Sequence, residues 1–320
     1  MNLPKISELN VSGKRILVRM DLDIPEGDYS RLEAEVETLD FLKSKNAQII
    51  VIGHRGRPDG KVDESLSTKS LQPFFDKWGA RVEENLRFDP GEEANDGEFA
   101  KKLALLGDFY VNEAFANSHR AHASIVGVPK LLPHAAGFRF VKEVENISRV
   151  FESSKKPVVV LISGIKRDKV EMAIKLSEIY DKVLVGGRLP EYFGDGALKS
   201  TRLNSDGKLV VGNLIQDKED ITINTIEVFK GEIAKAGTII LAGVLGKYED
   251  GGHQQGTKEI FEAVAGSSAY KIAGGGDTEA ALTIFRLTSK FDWISVGGGA
   301  MLEFLVNKTL PGIKVLLERG

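Results

Sequence analysis

The sequence predicts an α/β protein with mainly parallel sheets, helices on both sheet faces, and two domains. Three observations predict it. Short β-branched apolar runs alternate with amphipathic stretches along the whole chain, which is the grammar of strand–helix–strand units and of parallel sheets. The length of 320 residues exceeds what one hydrophobic core ordinarily organises. Glycines cluster where several strands of the second half end.

In chain order, the first-half strands are RILVRM, AQIIVIG and DFYVNEA. The second half supplies KPVVVLIS, DKVLVGG, KLVVG, GTIILAG, AYKIAGG and DWISVGG. Between them, EVETLDFLKSK, DGEFAKKLALLG, EIFEAVAG and TEAALTIFRL carry helical periodicity. A helix, a polar break and a new strand in FVKEVENISRVFESSKKP place a boundary near residues 140–156. This gives a domain over 1–145 that carries the basic, anion-binding segments and a glycine-rich domain over 146–307. Residues 308–320 form a tail that could complete the first domain.

Composition narrows the function. The net charge of −3 argues against nucleic acid as a partner, so any cationic patch is local. No cysteine is present, which excludes disulfides, thiolate metal sites and a cysteine nucleophile. The N-terminus has no apolar signal-type core and no segment is long enough to span a membrane. A cytoplasmic protein with no membrane partner is expected.

The most informative residues are Arg31, His54, Arg57, Arg87, His119 and Arg120, all within the first 120 positions. The flanking segments read as strands followed by loops: RILVRMDLDIP, AQIIVIGHRGRP, VEENLRFDP and DFYVNEAFANSHRAHAS. Ligands of open α/β sheets bind outside the carboxyl ends of the strands. Four such segments therefore direct arginine and histidine to one crevice, suited to a small, multiply charged anion.

The second half carries two strand-to-helix turns of one design. In AYKIAGGGDTEAA a strand meets Gly274, Gly275 and Gly276, with the helix expected from Asp277 or Thr278. In DWISVGGGAMLEFL a strand meets Gly297, Gly298 and Gly299, with the helix expected near Ala300. Glycine permits sharp turns and close ligand approach, and a helix N-terminus offers unpaired N–H groups, so the pair suits phosphate. Either turn could also be only a tight connection. Asp277 is open between an N-cap and a Mg²⁺ ligand. Lys166, Arg167 and Lys169, beyond the strand PVVVLIS, are open between a solvated basic turn and cations that meet a phosphoryl group. No G-x-G-x-x-G opens a strand–helix unit, which disfavours a dinucleotide oxidoreductase.

These residues resemble the phosphoglycerate kinase family over most of the chain. RILVRMDLDIP resembles its RVDxNVP segment, GHRGRP its SHLGRP, and VNEAFANSHRAHAS its VNDAFGTAHRAHAS; ENLRF is unchanged. IAGGGDTEAA and ISVGGGAMLEFL resemble IGGGDTAAA and STGGGASLEFL. The resemblance implies two Rossmann-like domains joined by a hinge helix, with 3-phosphoglycerate on the first and Mg²⁺ with ATP or ADP on the second. It implies in-line phosphoryl transfer on closure, by a monomer. Carried over, Asp21 contacts the glycerate hydroxyl, and Asp23 and His119 stand beside the substrate. His54, Arg57, Arg87 and Arg120 bind its phosphate and carboxylate. Arg31 stabilises the migrating phosphoryl, aided by Lys166, Gly276 and Gly299. The nucleotide falls to Gly164, Lys166, Lys169, Gly186, Gly187, Gly243, Glu249, Gly275, Gly276, Asp277, Thr278 and Gly297 to Gly299, with Asp277 as the metal ligand.

The chain departs from the family mainly on the nucleotide side. WNGPxGxFE reads LAGVLGKYE, so Leu241, Ala242 and Val244 replace Trp, Asn and Pro. GGAKVSDK reads SGIKRDK, one residue shorter, and GGGMAYTF reads GGRLPEYF, which introduces Arg188 and Pro190. Val296 replaces a Thr, and Asp23 replaces an Asn beside the anion site. The chain is also short for the family. The alternative expectation is a homologue that binds phosphoglycerate but has a degenerate nucleotide site.

Overall fold

The structure, a computed structural model, describes residues 1–193, 202–203 and 207–318. Its contacts divide the chain into two units: residues 1–145 with 309–320, and residues 146–308. The first division falls inside the helix Phe138–Glu152. The expected tail of 308–320 includes residues 319–320, which lie outside the described residues.

The first unit is built on strands β1 (Arg15–Arg19), β2 (Gln48–Ile52), β3 (Arg81–Val82), β4 (Phe109–Asn112) and β5 (His134–Ala136). They form one sheet in the order β3-β2-β1-β4-β5, and every pairing is parallel. Val18 stands level with Val51 on one side and Val111 on the other, and all three are fully buried. Ile16, Leu17 and Val18 point alternately to opposite faces of the sheet and are all fully buried, and that coverage of both faces explains why the sequence shows apolar runs here. β5 was not expected. Its sequence, HAA, has no strand signature of its own and is extended because Tyr110 to Asn112 pair with it. Asp96 starts the helix Gly97–Ala104 by accepting the Phe99 N–H at 2.8 Å. The C-terminal helix Pro311–Leu317 packs in this unit, with the Gly312 N–H donating to the Ser118 carbonyl at 2.9 Å.

The second unit is built on β6 (Val158–Gly164), β7 (Lys182–Gly187), β8 (Arg202–Leu203), β9 (Leu209–Val211), β10 (Thr238–Ala242), β11 (Tyr270–Gly274) and β12 (Trp293–Ser295). The sheet order is β12-β11-β10-β6-β7-β9-β8, parallel throughout except for β8 against β9. Each sheet reverses its winding once, between β1 and β4 in the first and between β6 and β10 in the second. Those switch points are where an open α/β sheet leaves a crevice at its carboxyl edge. Among the described residues no helix is long and apolar enough to cross a membrane.

Candidate active site

At the first switch point, β1 ends on Arg19, a fully buried arginine. Its Nη2 donates to His54 Nδ1 at 2.9 Å and its Nε to Ser124 Oγ at 3.0 Å. Arginine cannot accept, so His54 accepts on Nδ1 and carries its proton on Nε2. Ser124 is held in turn by Glu92, through Oγ to Oε1 at 2.5 Å and N–H to Oε2 at 2.9 Å. Arg87, on the turn after β3, is 3% exposed. Its Nη1 donates to the Gly56 carbonyl at 2.7 Å, and its Nε lies 2.9 Å from Glu93 Oε1 without hydrogen-bond alignment. Its Nη2 has no partner.

The electrostatics of this cluster suit a small anion. Burial, then Arg19, Arg87, His122 and Arg120, push the His54 imidazole far below its ordinary value. Burial and Arg120 hold His119 at about 4. Burial, then Arg87 and Arg19, hold His122 at about 4 as well. Burial also lowers the Arg87 guanidinium. His119 accepts from Arg120 Nε at 3.3 Å on Nε2, and its Nδ1 is buried and unpartnered. Cations crowded this way repel one another, and a small anion would relieve the repulsion and meet the unpaired donors.

The loop after β1 completes this side. Asp21 is buried and accepts from Arg31 Nη1 at 3.4 Å and Asn117 Nδ2 at 3.2 Å. Arg31 also donates to the Asp23 carbonyl at 3.1 Å. Asp23 is exposed, and its carboxylate accepts the Gly56 N–H at 2.8 Å, fastening the loop after β1 to the GHRGRP loop after β2. Arg57 is exposed on that second loop. Sequence reasoning did not single out Arg19, Glu92, Asn117, His122 or Ser124. For Arg19 a signal was present: an arginine closing an otherwise apolar buried strand must have a partner.

In the second unit two cavities, of about 570 and about 270 Å³, share Lys169, Gly243 and Asp277 in their linings. The larger is also lined by Gly164, Lys166, Gly187, Tyr248 and Glu249; the smaller by Gly275, Gly276, Thr278, Gly298 and Gly299. Both glycine turns lead into helices, Gly276–Ile284 and Gly298–Asn307. The helices begin earlier than expected, so Gly275 and Gly297 are the caps, without side-chain hydrogen bonds. This corrects the cap reading of Asp277, which is exposed at the second helical residue. With glycine in place of a capping side chain, the first N–H groups are left for a ligand. The two turns also pack on each other: a Cβ on Gly298 would stand 2.8 Å from Gly275 Cα.

Lys169 folds back over Gly164, its Nζ donating to the Ser163 carbonyl at 2.7 Å, and a Cβ on Gly164 would meet that Nζ at 3.0 Å. Burial lowers the Lys169 ammonium while Asp277 opposes the shift. Lys166 is exposed on the same cavity wall. Thr278 accepts the Gly243 N–H at 2.9 Å, so its hydroxyl ties the loop after β10 to the glycine turn. Gly186 is buried, where a Cβ would collide with Leu245, and lines neither cavity, nor does Gly297. Arg188 forms ion pairs with Glu191 at 2.7 Å and Glu219 at 3.9 Å, and Lys218 reaches Glu191 at 2.9 Å.

The fold and these two sites define an α/β protein that handles phosphorylated anions, one site made of cationic side chains and the other of glycine turns. The profile of the family phosphoglycerate kinase matches residues 6–83, 79–202 and 196–308. The phosphoglycerate kinase of Thermomicrobium roseum is 34% identical, with 98% of this chain and 99% of that protein covered. Its alignment runs over 389 positions, more than the 320 residues here, so this chain lacks segments that the relative has. The solved phosphoglycerate kinase of Coxiella burnetii superposes with a TM-score of 0.83 at 29% identity, covering 98% and 99% of the two chains. That of Pyrococcus horikoshii shares the fold, with a TM-score of 0.81 at 24% identity and 98% of each chain covered. The chain belongs to the phosphoglycerate kinase family.

Proposed function

We propose that this chain moves a phosphoryl group between 1,3-bisphosphoglycerate and ADP, and in reverse between ATP and the carboxylate of 3-phosphoglycerate. As a member of its family it is a phosphotransferase of glycolysis. The same reading takes the enzyme to be a cytoplasmic monomer, as the family resemblance implies. The observation that carries the substrate assignment is the cluster of buried Arg19, His54, Arg87 and His122 with half-buried Arg120, in which the arginines help to lower His54 and His122 and Arg87 Nη2 is unpaired. His54, Arg57, Arg87, His119 and Arg120 hold the substrate's phosphate and carboxylate, and Asp21 its hydroxyl. Arg31 meets the migrating phosphoryl.

On the other side the N–H groups at Gly276, Gly298 and Gly299 receive nucleotide phosphates, with Lys166 and Lys169 as point charges. Glu249 faces the ribose. Asp277 fits Mg²⁺: it is an exposed hard-oxygen donor lining both cavities, and Mg²⁺ is commonly held by one carboxylate together with substrate phosphates. Among the described residues no group of three or more acidic or histidine side chains forms a separate metal cage. The ion would neutralise phosphate charge. Phosphoryl transfer needs positioning and charge neutralisation more than covalent chemistry, and these residues supply both.

A coupled assay of 3-phosphoglycerate with Mg-ATP tests the reading. Turnover is expected, and Arg31→Ala should lower kcat by about 10³-fold while phosphoglycerate affinity changes only a few-fold. Tight phosphoglycerate binding with neither turnover nor Mg-nucleotide binding would establish the degenerate homologue instead.

A further inference from the structure

Glu35 is fully buried and has no role in the assignments above. It occupies the N-cap of the helix Val36–Ser44 but makes no cap hydrogen bond. Its Oε2 accepts the backbone N–H of Asp21 at 3.3 Å, and its Oε1 has no hydrogen-bond partner. The Met20 N–H still donates to the Ile52 carbonyl in strand fashion at 3.0 Å, so Asp21 is the first residue past that ladder. Glu35 therefore receives the amide of the residue whose carboxylate pairs with Arg31.

A second carboxyl lies close by. Glu113, also fully buried, accepts the Phe140 N–H at 2.8 Å, the Arg139 N–H at 3.2 Å and the Thr38 hydroxyl. It thus caps the first turn of the helix Phe138–Glu152, where an anion is favoured. The charged groups acting on Glu35 are Glu113 from the end of β4, and Asp21 and Arg19 from the end of β1. Neighbouring carboxylates raise the cost of ionising a buried carboxyl. Asp21 has Arg31 and Asn117, and Glu113 has three donors, whereas Glu35 has one N–H. Burial raises Glu113 to about 7 even against its three donors, and Glu35, with a single N–H, has less to stabilise its charge.

We propose that Glu35 is a positioning residue: its buried carboxyl holds the Asp21 backbone, and with it the Asp21–Arg31 pair, in the conformation that receives phosphoglycerate. This rests on the kinase reading only for the identity of the ligand. Burial first, then Glu113 and Asp21, hold the Glu35 carboxyl well above its ordinary range, so its ionisation is shifted toward higher pH than that of an ordinary glutamate. Ionisation adds a negative charge beneath an anion site and weakens substrate binding from within the first unit. His119 and His122, held at about 4, titrate on the acid side, whereas Glu113, raised to about 7 by burial, titrates inside the tested range, and a rise that survives in Glu35→Gln belongs to it.

The test compares wild type, Glu35→Gln and Glu35→Ala for phosphoglycerate KM, Mg-ATP KM and kcat, from about pH 6 to about pH 9. Wild type should show phosphoglycerate KM rising on the alkaline side. Glu35→Gln should stay within about threefold of wild type at neutral pH and lose that rise, because an amide oxygen still accepts from Asp21 and cannot ionise. Glu35→Ala should raise phosphoglycerate KM about three- to tenfold, the range of one lost hydrogen bond, with nucleotide KM unchanged. Any of three results would overturn the proposal: an unchanged phosphoglycerate KM in Glu35→Ala, equal rises in both KM values, or a wild-type alkaline rise surviving in Glu35→Gln. If Glu35→Ala does not fold, the Glu35→Gln pH profile decides. Calorimetric titration of the same variants with phosphoglycerate repeats the comparison without turnover, so failure of the kinase reading is distinguishable from failure of the Glu35 role.

Discussion

In the first unit the candidate site is made of side chains, and in the second it is made of backbone. Arg19, Arg87, Arg120 and the histidines converge from the ends of several strands and are held by Glu92, Ser124 and the Gly56 carbonyl. Around Gly275 and Gly298, the phosphate-facing groups are N–H donors at two helix starts, and the nearby side chains mainly tie loops together, as Thr278 does for Gly243. The difference shows where each site is vulnerable. A side-chain site fails by deletion, because a lost guanidinium has no substitute. A backbone site fails by addition, because a new Cβ separates surfaces already in contact, while most neighbouring side chains can change without touching the donors. That is a physical reason why Ala242, Val244 and Val296 can stand where the family has polar or rigid residues.

The contrast is broken most severely at Gly298. Its Cβ would lie 2.8 Å from Gly275 Cα and 2.9 Å from Gly275 N, both backbone atoms that cannot give way. Gly298→Ala should therefore weaken Mg-nucleotide binding by about 100-fold or more, since parting the turns misaligns several phosphate donors at once. Phosphoglycerate binding should stay within about twofold. Calorimetric titration with each ligand measures both, and a nucleotide loss below about fivefold would mean that the turns are not coupled through this contact.

Deletion on the other side has a smaller but clean signature. At one hundred times its dissociation constant, phosphoglycerate should stabilise the protein by about 2.7 kcal/mol through mass action. Arg87→Ala should abolish that gain. Its ligand-free stability should be unchanged or higher, because Arg87 is buried with two nitrogens lacking hydrogen bonds and burial itself lowers its guanidinium. Thermal unfolding with and without ligand measures both quantities. Equal ligand shifts in wild type and Arg87→Ala would remove Arg87 from the site.

The smallest effect sharpens the comparison. Backbone donors recognise phosphate and are indifferent to the base. Ala242 and Val244 supply no side-chain hydrogen bond where the family has an Asn. One or two neutral hydrogen bonds are worth about 0.5–1.5 kcal/mol each, so Mg-ATP and Mg-GTP should bind within about tenfold of each other. Competition titration between the two nucleotides checks this. Strong adenine selectivity would show that a residue of the larger cavity, such as Arg188 or Lys247, reads the base.

Much of the fold was legible because its strands are covered on both faces. RILVR and VVVLIS are apolar runs because helices cover the sheets, and that leaves a local signature. β5 was not legible, because three residues of HAA become a strand only by pairing with β4. The helix starts at the glycine turns were misplaced by one or two residues at Gly276 and by two at Gly298. Glycine carries no capping side chain, so no residue marks the boundary. Among the site residues, arginine and histidine on loops after strands were conspicuous, whereas Glu35 looked like one more polar residue at the start of an amphipathic helix.

By itself the sequence determined the secondary-structure grammar, the arginine and histidine motifs of the first half, the glycine turns of the second, and the family, because periodicity, composition and motif order are local or linear properties of the chain. Tertiary structure alone decided which charges are buried and what they face. Arg19 becomes a hydrogen-bond partner of His54, Asp23 a staple to Gly56, and Glu35 a buried acid beside Glu113 and Asp21, across separations of many residues. A side chain's protonation and reach depend on the dielectric and the partners that packing places around it, and neither is written in its neighbours along the chain.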